Sequence, residues 1–323
     1  MDTKSEILFL LEKNRGGFLS GEEIAAELGI TRSSVWKAIH SLEARGVAIQ
    51  AVKNRGYKLS EYCDSLTAEA ISANLPNSCT NCEILVFDSV DSTNNEARRY
   101  AAAGAKHGTL IVANEQTDGR GRQGRSFFSP PDTGLYMSMI LRPWAGITHP
   151  QLITVAAAVS VCHAIERQNN LTPEIKWVND ILLDGKKVCG ILTEAVTSME
   201  SASIEQIIVG IGINCKNPKE NFPKELSGIA TALETPELRR SLLCAEIAGG
   251  IVEFFEKLDS AELLEEYRAR CNMTGKSVSF IHEGEKQIAI VRGIDAECKL
   301  ELELENGDSL TLASGEVRLI NIT

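Results

Sequence analysis

The sequence predicts an α+β chain of three units: an N-terminal winged helix-turn-helix, a central domain on a mixed sheet, and a C-terminal SH3-like β-barrel. Three observations carry that prediction. The N-terminal region holds short amphipathic helical periods joined by a glycine turn and followed by a basic hairpin. The middle alternates apolar strand-like runs with helical periods. From Met273 onward the pattern is short strands separated by turns. The units are placed at 1–62, 63–272 and 273–323, because 323 residues exceed one ordinary core.

In the first unit, Lys4 to Asn14 carries an apolar stripe of Ile7, Leu8, Leu10 and Leu11, ended by Arg15-Gly16-Gly17. Ser20 and Glu23 form a capping-box pattern in front of a helix with Ile24, Ala25 and Leu28 inward. Gly29 supplies the turn, and Thr31 caps a third helix, Arg32 to Ala44, with Val35, Ile39 and Leu42 inward. Ala48–Ala51 and Tyr57–Leu59 then flank a basic tip, Lys53-Asn54-Arg55-Gly56. Between Arg32 and Lys58 there are six basic residues and one acid, Glu43, for a local charge of +5 in a chain whose net charge is −11. Two readings fit: a small bundle with a solvated basic face, or a DNA-binding domain. In the second, Arg32, Ser33, Ser34, Trp36 and Lys37 enter the major groove, and Lys53 and Arg55 touch phosphates.

Composition narrows the remaining classes. No apolar run is long enough for a membrane span; the best, Ile153 to Ile165, is broken by Ser160, Cys162 and His163. The N-terminus lacks the pattern of a secretory signal. Nine cysteines, an odd and scattered set, suit a reducing cytoplasm rather than a disulfide framework. Cys79 and Cys82 form one C-x-x-C pair, with no second half to complete a zinc site, so no resident metal is expected.

The chemistry concentrates in the central unit. Ile84 to Phe87 reads as a strand, followed by Asp91-Ser92-Thr93-Asn94 and a helix from Asn95 to Ala103. Thr93 and Glu96 have capping-box spacing, so Ser92 and Thr93 are either a cap, a polar site at a helix N-terminus, or both. A strand from Thr109 to Asn114 runs into Gln116 and then Gly119-Arg120-Gly121-Arg122-Gln123-Gly124-Arg125. Its G-x-G-x-x-G spelling is not a dinucleotide fingerprint, because Ser126 to Pro131 cannot open the required helix. It remains a mobile loop: glycines let backbone approach a ligand, and arginine forks hold phosphate or carboxylate. Three mutually repelling cations predict disorder without ligand and closure with it, under an aromatic cover such as Phe127. No aromatics interleave the loop as an RNA-binding loop would require.

Gly134 to Arg142 reads as a strand and Gln151 to Arg167 as a buried helix. Ile175 to Leu183 reads as one strand with Lys176, Asn179 and Asp180 in its middle, which is costly unless they are used. Asp184-Gly185 turns into Lys186–Glu194, and Ile207–Gly212 follows, with Gly190, Gly210 and Gly212 permitting a ligand against the backbone. Pro236 to Asn272 reads as helical.

In order and spacing, Asp91-Ser-Thr-Asn94, Gln116 with its Gly-Arg loop, Lys176-Trp-x-Asn-Asp180, Lys187 with Gly190-Ile, and Gly210-Ile-Gly-Ile-Asn214 resemble the biotin–protein ligases. With the winged helix in front, nearly the whole chain resembles the bifunctional biotin ligase and biotin-operon repressors, the BirA family. Two positions depart: Val178 stands where that family usually has proline, and Phe127 where it has tryptophan.

The resemblance implies a class II synthetase-like catalytic domain. It implies attack of biotin's carboxylate on the α-phosphate of ATP, with Mg²⁺ accompanying ATP, and then transfer to a lysine of the biotin carboxyl carrier protein of acetyl-CoA carboxylase. Ser92, Thr93, Asn94, Gln116, Arg120, Gly121, Arg122, Lys187, Gly190, Gly210 and Gly212 are implied around biotin. Arg120, Arg122, Arg125, Lys176, Asn179, Asp180 and Asn214 are implied around ATP and the adenylate. Lys187 and Arg122 are the candidate catalytic residues. The same resemblance implies homodimerisation on biotinyl-5′-AMP, operator DNA of biotin genes as a partner, and a cytoplasmic location. A lipoate-type ligase and a biotin-sensing repressor without transferase activity stay open as alternatives.

Overall fold

The computed structural model describes residues 2–79, 82–143, 151–197 and 204–320. Helices α1 (Thr3–Lys13), α2 (Gly21–Leu28) and α3 (Arg32–Glu43) are followed by the hairpin of β1 (Ile49–Val52) and β2 (Gly56–Leu59). The caps follow the sequence pattern: Ser20 and Glu23 make a reciprocal capping box, and Thr31 accepts from the Ser34 amide at 3.1 Å. Gly29 ends α2 at φ 63°, a conformation costly for residues with a Cβ. Gly56, at φ 103°, leaves no room for a side chain: a Cβ would lie 2.1 Å from the Leu19 carbonyl, to which the wing is bridged. Ile7, Leu11, Ile24, Val35, Ile39 and Leu59 form this small core, which Cys63 also joins.

Helix α4 (Ala68–Asn74), capped by Thr67, joins the first unit to the central one. Its Glu69 accepts from Ser5 of α1, and its Ile71 packs into the main core. Nearby, the Asp64 carboxylate accepts from the backbone N and Nε of Arg240 (2.8 and 2.7 Å).

The central unit comprises β3 (Ile84–Phe87), α5 (Thr93–Ala102), β4 (Leu110–Ala113), β5 (Gly134–Leu141), α6 (Gln151–Asn169), β6 (Glu174–Lys176), β7 (Asp180–Leu183), β8 (Lys186–Thr197), β9 (Ile204–Asn214), α7 (Arg240–Phe255) and α8 (Ala261–Arg270). The strands form one mixed sheet in the order β3-β4-β5-β9-β8-β7-β6, with only β3 and β4 parallel. Period-two alternation sorts the faces. Leu135, Met137, Met139 and Leu141 of β5, with Val209, Ile211 and Ile213 of β9, pack against α6 and α7. Ile111, Ile140 and Ile208 face the other way, toward Ala97 and Ala101 of α5.

Ile175 to Leu183 is not one strand. It is a tight antiparallel hairpin in which Lys176 pairs with Asp180 across a turn at Trp177-Val178-Asn179. The turn removes the expense of mid-strand polar groups, since Asn179 there donates to the Ile191 carbonyl at 2.7 Å. The next turn is made by Asp184 and Gly185, both at positive φ (49° and 74°), as a two-residue hairpin loop requires.

The C-terminal unit is a five-stranded antiparallel sheet of β10 (Ser277–His282), β11 (Glu285–Ile294), β12 (Leu300–Leu304), β13 (Ser309–Leu312) and β14 (Val317–Leu319). Its strand order is β13-β12-β11-β10-β14, and Val278, Phe280, Ala289, Val291, Leu300 and Leu302 join the main core. Among the described residues no helix is long and apolar enough to cross a membrane.

Candidate active site

A cavity opens on the sheet face that carries α5. Its floor is a patch without side chains. Gly212 pairs with Gly190 on one side and Tyr136 on the other, and Gly210 pairs with Leu192 and Ser138, so all three glycines face the cavity in register. A Cβ on Gly210 would lie 2.0 Å from Asn94 Oδ1, and one on Gly212 would lie 2.5 Å from the Phe127 ring. Only glycine therefore allows the α5 wall and the Phe127 cover to sit this close.

The parallel β3–β4 pair continues past its strands through a Val90–Gln116 bridge, with Asp118 N donating to Asp91 O at 2.8 Å. That register brings Ser92, Thr93 and Asn94, all nearly buried, beside Gln116. The Thr93–Glu96 capping box does not form. Ser92 is the N-cap, without a side-chain capping bond, and Glu96 pairs with Arg99. The local pattern loses to a distant partner: Gln116 Oε1 accepts from Thr93 N at 2.8 Å, and the Thr93 hydroxyl lies 3.1 Å from the same oxygen. Gln116 Nε2 donates to Ser129 Oγ (2.8 Å), which donates to the Phe127 carbonyl (2.9 Å). Asp91 accepts from Arg99 at 3.0 and 2.7 Å and from Asn95 at 3.0 Å. The Arg99 guanidinium holds that carboxyl well below the ordinary aspartate range.

The Gly-Arg loop folds over the cavity. An Arg120–Ser126 bridge closes it, Phe127 N donates to Gly119 O at 2.7 Å, and Gln123 and Gly124 take positive φ. Extended chain follows rather than a helix, so the dinucleotide geometry is absent. The expected mutual repulsion of the arginines is relieved by separate partners. Arg120 reaches Asn95 (3.0 Å) and Glu194 (3.2 Å), Arg122 donates to Asn179 Oδ1 (3.1 Å), and Arg125 turns away to Glu316 of the C-terminal sheet.

Lys187 reaches the cavity because of a β-bulge. The β7–β8 register slips between Ile181 and Leu182, so Val188 and Cys189 both enter the core. Strict alternation would put Lys187 on the core side with Cys189; the extra residue re-aims it beside Gly190. Its Nζ lies 2.6 Å from Asp180 Oδ1. Its backbone is clamped by Ile229 O (2.8 Å) and Thr231 N (2.9 Å).

The cavity lining thus gathers Ser92, Thr93, Asn94, Gln116, Arg120, Gly121, Arg122, Asn179, Lys187, Gly190, Gly210 and Gly212. Lys176, Arg125, Asp180 and Asn214 lie outside it. Asp180 touches the lining through Lys187, and Asn214 donates to the Thr231 carbonyl (2.9 Å) behind Lys187. Sequence reasoning missed two residues, Ser138 and Glu194. Ser138 carries no motif signal within an apolar strand. Glu194 closes β8's polar side by pairing with Arg98, Arg120 and Asn94. Cys79 is buried in the main core and Cys82 is half-buried. Among the described residues no three His, Cys, Asp or Glu side chains converge as metal ligands.

On the N-terminal unit, Arg32, Ser33, Trp36 and Lys37 are exposed along α3, and Ser34 is half-exposed. Trp36 stacks edge-on to His40 with ring centroids 4.1 Å apart and stays 52% exposed. Lys53 and Arg55 project from the wing tip, and the Arg55 guanidinium lies 4.2 Å from the Phe18 ring centre.

Comparison with known proteins agrees with both halves. Residues 86–214 match the biotin/lipoate A/B protein ligase family and residues 3–58 match an HTH domain. The chain is 37% identical to the bifunctional ligase/repressor BirA of Bacillus spizizenii over 230 residues, 71% of this chain and 70% of that one. It is 29% identical to the bifunctional ligase/repressor BirA of Escherichia coli over 308 residues, 94% of each. Among solved structures it resembles the biotin protein ligase of Aquifex aeolicus in complex with biotin and ATP. That likeness has a TM-score of 0.62 and 28% identity, and covers 74% of this chain and 98% of the other. With a ligase sheet, its glycine floor and a helix-turn-helix in front, this chain belongs to the BirA family of bifunctional ligase/repressors.

Proposed function

We propose that the chain is a biotin–[biotin carboxyl carrier protein] ligase that also represses transcription in response to biotin. The observation that carries the ligase reading is the glycine floor of Gly190, Gly210 and Gly212. It is flanked by hydrogen-bonding groups at Thr93 and Gln116 and ends at Lys187. A flat bicyclic urea with an apolar chain fits such a slot, its polar end at Thr93–Gln116 and its carboxylate toward Lys187.

In the first step a biotin carboxylate oxygen attacks the α-phosphorus of ATP. The bond to the bridging oxygen breaks, and pyrophosphate leaves with the electron pair. Lys187 neutralises the oxygens between carboxylate and phosphate as the new bond forms, and Arg122 supports the phosphate. Phe127 and the loop exclude water from the mixed anhydride. In the second step a carrier lysine amine attacks the acyl carbon, AMP departs, and the amine loses its proton. Asn179 and Asp180 would help hold a Mg²⁺ accompanying the triphosphate, an ion that binds through few carboxylates plus phosphates; Asp180 also contacts Lys187. Arg125, Lys176, Asn179 and Asn214 are assigned to the nucleotide side.

The carrier is assigned as that of acetyl-CoA carboxylase and the DNA as the operator of biotin genes. Adenylate binding is assigned to promote homodimerisation, which would let paired recognition helices read two half-sites. The C-terminal sheet is read as an SH3-like barrel on its short antiparallel strands, and the domain bounds as 1–62, 63–272 and 273–323. Nine free cysteines support a cytoplasmic location.

Exchange of labelled pyrophosphate into ATP tests the enzymatic reading. Exchange is expected with biotin and not with lipoate. Lipoate-dependent exchange makes the chain a lipoate-type ligase, and exchange with neither leaves a sensor without ligase activity.

A further inference from the structure

Cys79 and Cys82 are the only two of the nine cysteines close in sequence, and neither lines the cavity. Cys79 ends a short 3-10 turn, Asn77–Cys79, and its amide donates to Pro76 O at 2.9 Å. The Cys82 amide donates in turn to Cys79 O at 3.0 Å. A hydrogen bond of that spacing holds the two end Cα atoms within about 7 Å. Two cysteines can be bridged below about that separation. The thiols already meet across the turn and hydrogen-bond to each other. Ser78 Oγ lies 3.9 Å from Cys79 Sγ, and the Ala248 carbonyl of α7 lies 4.0 Å from it.

This pair differs in chemistry from the buried thiols elsewhere. Burial pushes Cys162, Cys215, Cys244 and Cys298 up to about 12, and raises Cys189 and Cys271 as well, which leaves them protonated and inert. The hydrogen bond from Cys82 instead brings Cys79 down to about 7, and the same bond raises Cys82. At about that pH the pair sheds one proton, and the two sulfurs share the one that remains. Cys79 is fully buried and Cys82 half-buried, so a reagent meets Cys82 first, with Cys79 behind it. Two thiolates are half of a zinc site, and among the described residues no third His, Cys, Asp or Glu joins them.

We propose that Cys79 and Cys82 are a redox-active dithiol, a modification site that closes to an intrachain disulfide when a small-molecule disulfide oxidises it. Cys82 hands the shared proton to Cys79 and attacks one sulfur of the oxidant as the thiolate. The oxidant's S–S bond breaks, and its first half departs as a thiolate that takes the proton from Cys79. The Cys79 thiolate then attacks Cys82 Sγ in the mixed disulfide and expels the second half. Two electrons and the shared proton pass to the oxidant, which leaves as one thiol and one thiolate. In a reducing compartment the pair rests as the dithiol, and the bridge forms transiently.

The test incubates the full chain with oxidised glutathione, quenches it with an alkylating agent and maps the cysteines by peptide mass. One disulfide, between Cys79 and Cys82, is expected, and excess reduced glutathione should reverse it. It should form at least about tenfold faster than any other cysteine reacts, the ratio of thiolate fractions at neutral pH between a thiol near 7 and an ordinary one near 8.5. Cys79→Ser should trap one glutathionyl group on Cys82, and Cys82→Ser should leave Cys79 unmodified, since its route is gone. Mapping of the unsubstituted chain decides the matter if either variant does not fold. Free thiols at both positions, under conditions where the urea-unfolded chain forms the bridge, would overturn the proposal, as would earlier oxidation of another cysteine. One zinc ion bound per chain, with both thiols protected from alkylation, would also overturn it and make the pair metal ligands.

Discussion

Gly212→Ala is the perturbation whose consequence the structure specifies most fully. The added methyl would stand 2.5, 2.7 and 3.0 Å from three atoms of the Phe127 ring, against ordinary contacts beginning at 3.4 Å. The ring must retreat by about 1 Å, and it cannot do so freely. Its backbone is held by Gly119 O and Ser129 Oγ, and Tyr136 packs edge-on behind it at 6.5 Å between centroids. The displacement therefore passes to the Gly119–Phe127 loop. Overpacking of this kind costs about 1–3 kcal/mol. If that cost falls on the liganded, closed loop, biotin affinity drops by about 5- to 150-fold. Calorimetric titration with biotin measures the loss, and a thermal melt reports whether the free protein shares it. Normal affinity together with an unchanged melting temperature would refute the reasoning, because the methyl would then have found space that the geometry denies.

Lys187→Ala should slow single-turnover adenylate formation by about 10²–10³ while changing biotin affinity only a few-fold, the signature of a charge used in the transition state. Asp91→Asn should lower the melting temperature at neutral pH. The Asp91 carboxyl is depressed by Arg99, so its contribution is present above the ordinary aspartate value of 3.8 and lost as pH falls below it; melts across that range should converge in acid. Lys53→Ala and Arg55→Ala should weaken DNA binding alike for all sequences, each reducing the salt slope by about one, whereas Trp36→Ala should alter sequence preference; fluorescence anisotropy against salt separates them.

Much of this architecture is legible in the chain because local signals and tertiary structure agree. Ser20–Glu23 and Thr31 cap their helices as spelled, and the strand periods of β5 and β9 sort core from cavity. Gly190, Gly210 and Gly212 mark a close approach, although only the strand register shows that they share one face. The failures have physical causes. The Trp177-Val178-Asn179 turn has no glycine or proline, so its hairpin reads as a continuous strand. Thr93 and Glu96 spell a cap, but Gln116, distant in sequence, takes the Thr93 amide. Lys187 is aimed by a bulge that no composition signals, and Arg125 finds Glu316, a partner only the fold supplies. Ser138 and Glu194 are silent in sequence because each works through another side chain.

The proposed function has this cavity make an activated biotin and pass it to a carrier lysine. The most direct measurement is the intact mass of a biotin carboxyl carrier domain after incubation with the full chain, biotin, ATP and Mg²⁺. One biotinyl group on the carrier is expected, absent when ATP is omitted and absent with Lys187→Ala over the same time. A carrier of unchanged mass, under conditions where the chain binds biotin, would contradict it.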